Sequence, residues 1–491
     1  MPRANRLFLV LPLLHVLGLI IWVFGIAMLL PVAVSEWTRD GAMRAYDEAV
    51  LITLGSGALL WLLGRHWRRE LRLRDGILLV VLTWVLTPLF AALPLLFYLP
   101  DLSFTDAYFE TMSGLTTTGA TVLSGLDRLP ASINLWRTEL HWLGGMGVIV
   151  LVTAVLPLLG VGGRQMFKAE TPGPMKDDKL TPRMAETAKG LWVVYLFLTA
   201  ALVVLYVVFG MGFMEALIHA FSVMGLGGFS SHDASFGHFD SVPLEVVTVL
   251  FALIAGVNFA MHFLAWRGRS LGPYATDPEL RWFLGAVLGS CLLLALYLWA
   301  QGLYLDFPTA LRYATFNTIS VATTLGLATT DFGAWPLFAG LWLLFLCSFS
   351  TSAGSTGGGI KMMRAVLLYK QIHRELLRLI HPRAQTPIKL GGMSVPDKVM
   401  YAVLAYLFVY VSSIVVLSFL LSFSGLDVLT AFTAIVACIN TTGPGLGQVG
   451  PSTTYAALTD FQTWVCTFAM LLGRLELFTL LVVLTPAFWR R

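Results

Sequence analysis

Four times along the chain a short glycine-containing strip stands between a half-length apolar segment and a long one. The strips are Thr116-Thr117-Thr118-Gly119, Met224-Gly225-Leu226-Gly227, Thr323-Thr324-Leu325-Gly326 and Asn440-Thr441-Thr442-Gly443. Their final glycines lie 108, 99 and 117 residues apart, so the unit recurs at a nearly constant period. Four equivalent loops at membrane depth are what a pore for a bare ion requires, because loop carbonyls can replace the ion's water shell. A lone glycine in an apolar segment is ordinarily a close-packing residue. Four in phase are not explained that way.

The apolar segments themselves place the chain in a bilayer. Of its 491 residues 57% are hydrophobic and 12% charged, with a mean hydropathy of +0.78, which excludes a soluble fold and predicts a polytopic membrane protein. The run from Leu191 to Phe209 is nearly unbroken. The first segment, Leu7–Val34, far exceeds the roughly 7–15 apolar residues of a signal peptide and reads as a retained helix, although Ala33 and Ser35 would also suit a cleavage site. Of the 32 Lys and Arg residues, 26 fall in the segments Arg65–Arg74, Arg164–Lys189, Arg267–Arg281 and Lys361–Lys398 and near the two termini. Gly210–Val242 and Gly425–Leu458 contain none. By the positive-inside rule the termini and basic segments are cytoplasmic and the strips open outward. The net charge of +4 therefore reflects topology and not a nucleic-acid partner. Cys291, Cys347, Cys438 and Cys466 all sit in apolar segments without metal-type spacing and read as buried small hydrophobes.

The expected fold is an all-α polytopic membrane protein. Two N-terminal transmembrane helices (residues 1–75, with Leu7–Val34 and Val50–Leu63) precede four helix–pore-loop–helix repeats around one pore, at residues 76–163, 164–266, 267–396 and 397–491. Their outer helices are expected at Gly76–Leu99 and Leu135–Leu159, Leu191–Phe209 and Leu244–Trp266, Leu280–Ala300 and Trp335–Phe349, and Val399–Phe423 and Thr463–Trp489. Between them lie Phe104–Leu115, Met214–Val223, Thr309–Val321 and Val428–Ile439. Segments of this length cover roughly 15–20 Å of helix against a hydrocarbon core of about 30 Å, so they enter and stop. Asp106, Glu215, Asp306 and Asp427 near their starts suit N-caps and the helix dipole. Each such helix then aims its negative end at the membrane centre, where it attracts a cation.

Irregular backbone is tolerated at that depth only where protein buries it or it lines a watery cavity. Glycine relaxes the restriction on φ, so successive carbonyls can turn toward one axis. Threonine hydroxyls can add oxygen ligands or brace the strip from behind. The candidate ion-binding residues are Thr117, Thr118, Gly119, Gly225, Leu226, Gly227, Thr324, Leu325, Gly326, Thr441, Thr442 and Gly443. No acidic ring accompanies them, which points to a monovalent cation. Three of the four strips carry a single glycine, which suggests few binding sites. Leu226 and Leu325 stand before the last glycine where the other strips have Thr118 and Thr442, so the ring is not symmetric.

These strips, with Ser113-Gly114-Leu115, His219-Ala220-Phe221-Ser222, Gly228-Phe229-Ser230, Trp142-Leu143-Gly144-Gly145-Met146-Gly147 and Pro444-Gly445, resemble the Trk/Ktr/HKT superfamily of potassium transporters. The two extra N-terminal helices make the chain most similar to the TrkH-like pore subunits. The resemblance implies a single potassium pore per subunit in the bacterial inner membrane. It also implies a homodimer docked on a cytoplasmic ring of nucleotide-binding regulatory subunits. Some sodium-favouring relatives carry Ser at the first filter glycine, so Gly119 points to potassium.

The third repeat contains the candidate gate. Trp335–Phe349 supplies about 22 Å of helix, and residues 350–359, Ser350-Thr351-Ser352-Ala353-Gly354-Ser355-Thr356-Gly357-Gly358-Gly359, follow it. Such a run is ordinarily a flexible linker, but here it falls inside the membrane. The resemblance implies an intramembrane loop below the filter, which makes Gly354, Gly357, Gly358 and Gly359 gate residues. Arg474, read as deep within a continuous helix, is too far from the interface to snorkel and is expected to face a water-filled pore or a carboxylate. The resemblance places it under the filter, opposing cation passage. A purely structural ion pair is the alternative, with Glu476 a poor candidate because residues two apart do not share a helix face.

A gated, channel-like potassium uptake pore is therefore the leading reading. The alternative is a symporter coupling potassium to protons or sodium, which would call for buried carboxylates and inverted repeats. An enzyme would need an acid, base or metal cluster, and His141 and His219 read as packing residues. No cofactor is expected on this chain. The glycines at 354–359 lack the strand–helix context of a nucleotide loop, so nucleotide control would come through the regulatory partner. The basic segments Arg164–Lys189 and Lys361–Lys398 are the candidate docking surfaces for that partner and for anionic lipid.

Overall fold

Backbone groups in a bilayer must be satisfied within the chain, so helices dominate the computed structural model, which describes residues 4–67, 72–150 and 181–490. Among the described residues six helices are long and apolar enough to span a membrane, or eight if two sharply bent pairs are each one span. The C-terminal part of the expected Leu135–Leu159 helix and most of Arg164–Lys189 lie outside the described residues.

The N-terminal segment is one helix with a break, Ala4–Ala27 and Leu29–Thr38, antiparallel to Met43–Gly64. Glycines let the two backbones meet. A methyl group on Gly18 would lie 2.5 Å from Trp61 N, and one on Gly64 would lie 2.2 Å from His15 N. Small residues are the usual means of close helix approach in lipid, where apolar burial gives no drive.

Four short helices follow at intervals: Phe104–Leu115, Phe213–Gly225, Phe307–Ala322 and Val428–Ile439. Ser103, Asp306 and Asp427 cap three of them by accepting from the N–H of Asp106, Thr309 and Thr430. Asp106 and Glu215 are not the caps expected: Ser103 takes that place in the first helix, with Asp106 in the first turn accepting from Ser103 Oγ, and Glu215 is engaged elsewhere. Its Oε2 accepts from Ser231 Oγ at 2.5 Å across the loop, and Gly212 starts that helix without a side-chain cap.

The long helices depart from expectation in two places. The expected span Leu244–Trp266 is broken into Val242–Ala255 and Phe259–Gly268, bent by 93° at Gly256-Val257-Asn258. Thr463–Trp489 is broken as well, into Asp460–Arg474 and Phe478–Leu484, bent by 117°. In the third unit Leu337–Cys347 ends before residues 348–361, and Met362–Ile380 resumes beyond them. The one sheet among the described residues is a two-stranded hairpin, Lys389–Leu390 with Met393–Ser394. Its turn is Gly391-Gly392, both at positive φ.

Candidate functional site: a ring of four strips and the loop beneath it

Each short helix ends the same way. A residue in the left-handed region follows it, at Thr117 (φ 55°), Leu226 (52°), Thr324 (63°) and Thr441 (53°), and two residues on stands a glycine, at Gly119 (81°), Gly228 (86°), Gly326 (83°) and Gly443 (91°). The residue between them donates its N–H five residues back: Thr118 to Ser113 O, Gly227 to Ser222 O, Leu325 to Ser320 O and Thr442 to Ala437 O, all at 2.8–2.9 Å. This is the Schellman closure of a helix C-terminus. Threonine and leucine at positive φ are strained, and such outliers cluster at functional sites.

The shared geometry corrects the register of the second strip. Its equivalent triplet is Leu226-Gly227-Gly228, with Gly228 matching Gly119, so Gly227 is the middle residue. Gly225 belongs to the preceding helix, where a Cβ would lie 2.5 Å from His141 O, and it drops out of the ring. Leu226 thus corresponds to Thr117, while Leu325 corresponds to Thr118. The two leucines are not equivalent to each other, contrary to the reading from sequence. Both are buried in the apolar core behind the strips.

The four glycines close a cycle. A Cβ on Gly119 would lie 2.0 Å from Gly227 O, on Gly228 2.2 Å from Leu325 O, on Gly326 2.2 Å from Thr442 O, and on Gly443 2.7 Å from Thr118 O. Each glycine therefore makes room for the middle carbonyl of the next strip, in the order first, second, third, fourth and back to first. The hydroxyls of Thr117 and Thr441 are buried and make no hydrogen bond. The threonines and leucines of the strips are buried in the bundle, whereas Gly119, Gly228 and Gly326 are half-buried and face the cavity above.

Above the ring, a cavity of about 190 Å³ is lined by the four glycines and by Arg137, Ser230 and His232. Arg137 and Glu110 form a buried ion pair at 2.9 Å, with the guanidinium 4.3 Å over the Phe229 ring. Glu110 also accepts from Val122 N, and Arg137 donates to Ser230 O, so the pair braces the backbone just past the first two strips. Removing either partner would leave a buried charge uncompensated. Sequence reasoning overlooked this pair, although two opposite charges in apolar segments were its available signal. His141 stacks on Phe229 (4.3 Å), and His219 bonds Ser230 Oγ (3.0 Å), so both are packing residues. At the rim, the His232 hydrogen bond holds the Asp127 carboxyl below its ordinary range.

Below the ring lies the loop 348–361. Its Ser350, Thr351, Ser352, Ser355 and Thr356 are buried. Gly358 N donates to Thr324 Oγ1 (3.0 Å), and Thr356 Oγ1 donates to Met224 O (3.2 Å). A Cβ on Gly358 would lie 2.1 Å from Asn440 O, and one on Gly357 2.9 Å from Thr323 O. The loop thus abuts the inner ends of the second, third and fourth strips. Gly354 and Gly359 are both at positive φ, and a Cβ on Gly359 would meet Cys347 O at 2.7 Å. The break in the second unit serves this loop: Ser352 N donates to Gly256 O, and Phe259 N donates to Gly354 O. Glu279 Oε1 accepts from Ala353 N and Met363 N, anchoring both limbs of the loop.

Arg474 sits at the end of its helix, not inside a continuous one, and the depth argument from chain length fails there. It is nonetheless buried. Its Nη1 donates to Thr356 O and its Nη2 to Gly144 O, both at 2.9 Å. Its hydrogen-bond acceptors are therefore carbonyls, one from the loop and one from the helix after the first strip, and not a carboxylate. Glu476 pairs instead with Arg364 at 2.7 Å. Lys361, also buried, donates to Gly357 O, a second cation under the ring that sequence reasoning overlooked.

Comparisons with known proteins bear on this arrangement. The family model TrkH, described as a cation transport protein, matches residues 44–490. The Trk system potassium uptake protein TrkH of Halomonas elongata is 45% identical over 98% of this chain and 99% of its own length. That of Escherichia coli K12 is 43% identical over 97% and 98%. The crystal structure of the potassium transporter TrkH from Vibrio parahaemolyticus superposes with a TM-score of 0.90 at 43% identity, covering 98% of this chain and 99% of that one.

Proposed function

The chain belongs to the TrkH family of cation transport proteins, and from that membership we propose that the four-strip ring is its potassium filter and the loop 348–361 with Arg474 its gate. The chain is a multi-pass protein of the bacterial inner membrane that serves potassium uptake, and it is a transporter, not an enzyme. The filter residues are Thr117-Thr118-Gly119, Leu226-Gly227-Gly228, Thr324-Leu325-Gly326 and Thr441-Thr442-Gly443. One observation carries this: each of the four glycines accommodates the middle carbonyl of the next strip. Carbonyls converging from four sides suit a dehydrated monovalent cation, and the C-terminal ends of four short helices add negative potential there.

The gate reading rests on the loop's contacts with three strips and on the charge of Arg474 fastened to Thr356. A cation leaving the ring inward meets a guanidinium and an ammonium, Lys361. The repeat boundaries at residues 76, 164, 267 and 397 and the two N-terminal helices remain our division of the chain. The outward-facing vestibule and cytoplasmic termini follow from the distribution of Lys and Arg. As a Trk-type subunit it works in a complex with a regulatory partner. We place a nucleotide-binding cytoplasmic ring and a second copy of this chain in that complex, with anionic lipid at the basic segments. The symporter alternative is not favoured, since the named relatives are potassium uptake proteins. Glu110, Glu279 and the half-buried Glu476 are committed to Arg137, loop amides and Arg364, and Glu139, buried with one oxygen unpartnered, is the carboxylate a coupled mechanism would use.

Expression in a host lacking potassium uptake tests the reading. Growth at limiting potassium should be restored, and the purified protein in liposomes should carry Rb⁺ down its gradient without an imposed proton or sodium gradient. Rb⁺ flux that needs one of those gradients would reinstate the symporter.

A further inference from the structure

At the rim of the vestibule, three side chains are arranged in a way that potassium passage does not require. Donor atoms of Asp127, His232 and His238 all lie within 4.8 Å of one another. The His232 and His238 rings stack at 3.5 Å with only 3° between their planes, and His232 Nδ1 lies 2.5 Å from Asp127 Oδ1. The other nitrogen of His232, Nε2, is shielded from solvent, makes no hydrogen bond, and lies 3.4 Å from Glu215 Oε2.

We propose that Asp127, His232 and His238 form a binding site for a first-row transition-metal dication, zinc foremost, whose occupancy lowers potassium entry. Two imidazoles and a carboxylate are a ligand set that zinc accepts, with water completing the fourth position. Tetrahedral donors about 2.0–2.1 Å from zinc are roughly 3.3 Å apart, so the cluster already has nearly the required spacing, and the exposed His238 ring must turn out of its stack on His232 to aim both nitrogens at one ion. The backbone beneath it is already fixed. Gly125 N and Leu126 N donate to the Asp233 carboxylate, and Asp233 N donates back to Asp127. His232 N donates to Ser230 Oγ. The site therefore bridges the loops after the first and second short helices, and His232 itself lines the cavity above the four glycines. A dication held there opposes potassium at the entrance through its charge, in a cleft where field lines are focused.

The inhibitory part rests on the pore reading above; the binding part does not. Isothermal titration of the purified full-length protein with zinc chloride should give one site per chain. His238→Gln should weaken that site at least tenfold, and Asp127→Asn should do likewise. Zinc should also raise the melting temperature of the wild type but not of His238→Gln. In liposomes, zinc should reduce Rb⁺ uptake through the wild type, a chelator should restore it, and His238→Gln should conduct normally but ignore zinc. No zinc bound to the wild type, or unchanged binding by His238→Gln, would overturn the site. Binding without inhibition would overturn its effect on conduction. Absent Rb⁺ flux in the metal-free wild type would count against the pore reading, leaving the titration to decide the site.

Discussion

Arg474→Ala should raise Rb⁺ flux through the isolated protein by at least tenfold at fixed driving force. Two features are lost together. The guanidinium ties Thr356 O of the loop to Gly144 O of the helix after the first strip, the one side on which the loop lacks a strip contact described above. Cutting that tie frees the loop to move from under the ring. The charge itself also goes. Two like unit charges about 8 Å apart repel by roughly 2 kcal/mol at an effective dielectric of about 20, which is about thirty-fold in rate. The substitution leaves two buried carbonyls unpartnered, costing about 1–3 kcal/mol each where water does not replace the bond. Thermal melting alongside the flux separates the readings. A lowered melting temperature with unchanged flux per folded molecule would make Arg474 a structural tie only.

The second large effect concerns the ring. Gly119→Ser and Gly228→Ser should each lower the Rb⁺/Na⁺ flux ratio by about tenfold or more, equivalent to roughly 1.4 kcal/mol of lost discrimination. Both positions have φ above 80°, and both new Cβ atoms would strike a ring carbonyl, Gly227 O and Leu325 O respectively. The carbonyl must turn away, and the site loses the oxygen field that distinguishes a larger from a smaller ion. The pairing is the point: the uncorrected register makes Gly227, not Gly228, the partner of Gly119. A Cβ on Gly227 would instead collide with the His141 ring at 2.1 Å, on the packed side. Gly227→Ala should therefore impair folding before selectivity. Loss of discrimination in Gly119→Ser but not in Gly228→Ser would contradict the corrected register.

Where the chain's local chemistry was decisive, the sequence was legible. Phe104–Leu115 and Val428–Ile439 have the bounds expected from their apolar lengths, because Ser103 and Asp427 cap one end and a Schellman strip closes the other. The break after Cys347 was legible too, since a Gly- and Ser-rich run cannot continue a helix. The breaks at Gly256-Val257-Asn258 and after Arg474 were not. Each is set by distant partners, Ser352 N and Gly354 O for the first, Thr356 O and Gly144 O for the second, and flanking apolar residues masked both. The register of the second strip was missed for a related reason. With glycines at 225, 227 and 228, spacing alone does not select one, and only the return hydrogen bond from Gly227 to Ser222 does. The Asp127–His232–His238 cluster joins residues more than one hundred positions apart in two cases. No local pattern announces it.

The central claim is that one ring, made by the carbonyls of Thr118, Gly227, Leu325 and Thr442, holds the ion. Anomalous diffraction from crystals grown in rubidium tests it most directly. The account predicts a Rb⁺ peak on the axis between those four oxygens, diminished in Gly228→Ser crystals. No peak there, with rubidium bound elsewhere along the chain, would contradict it.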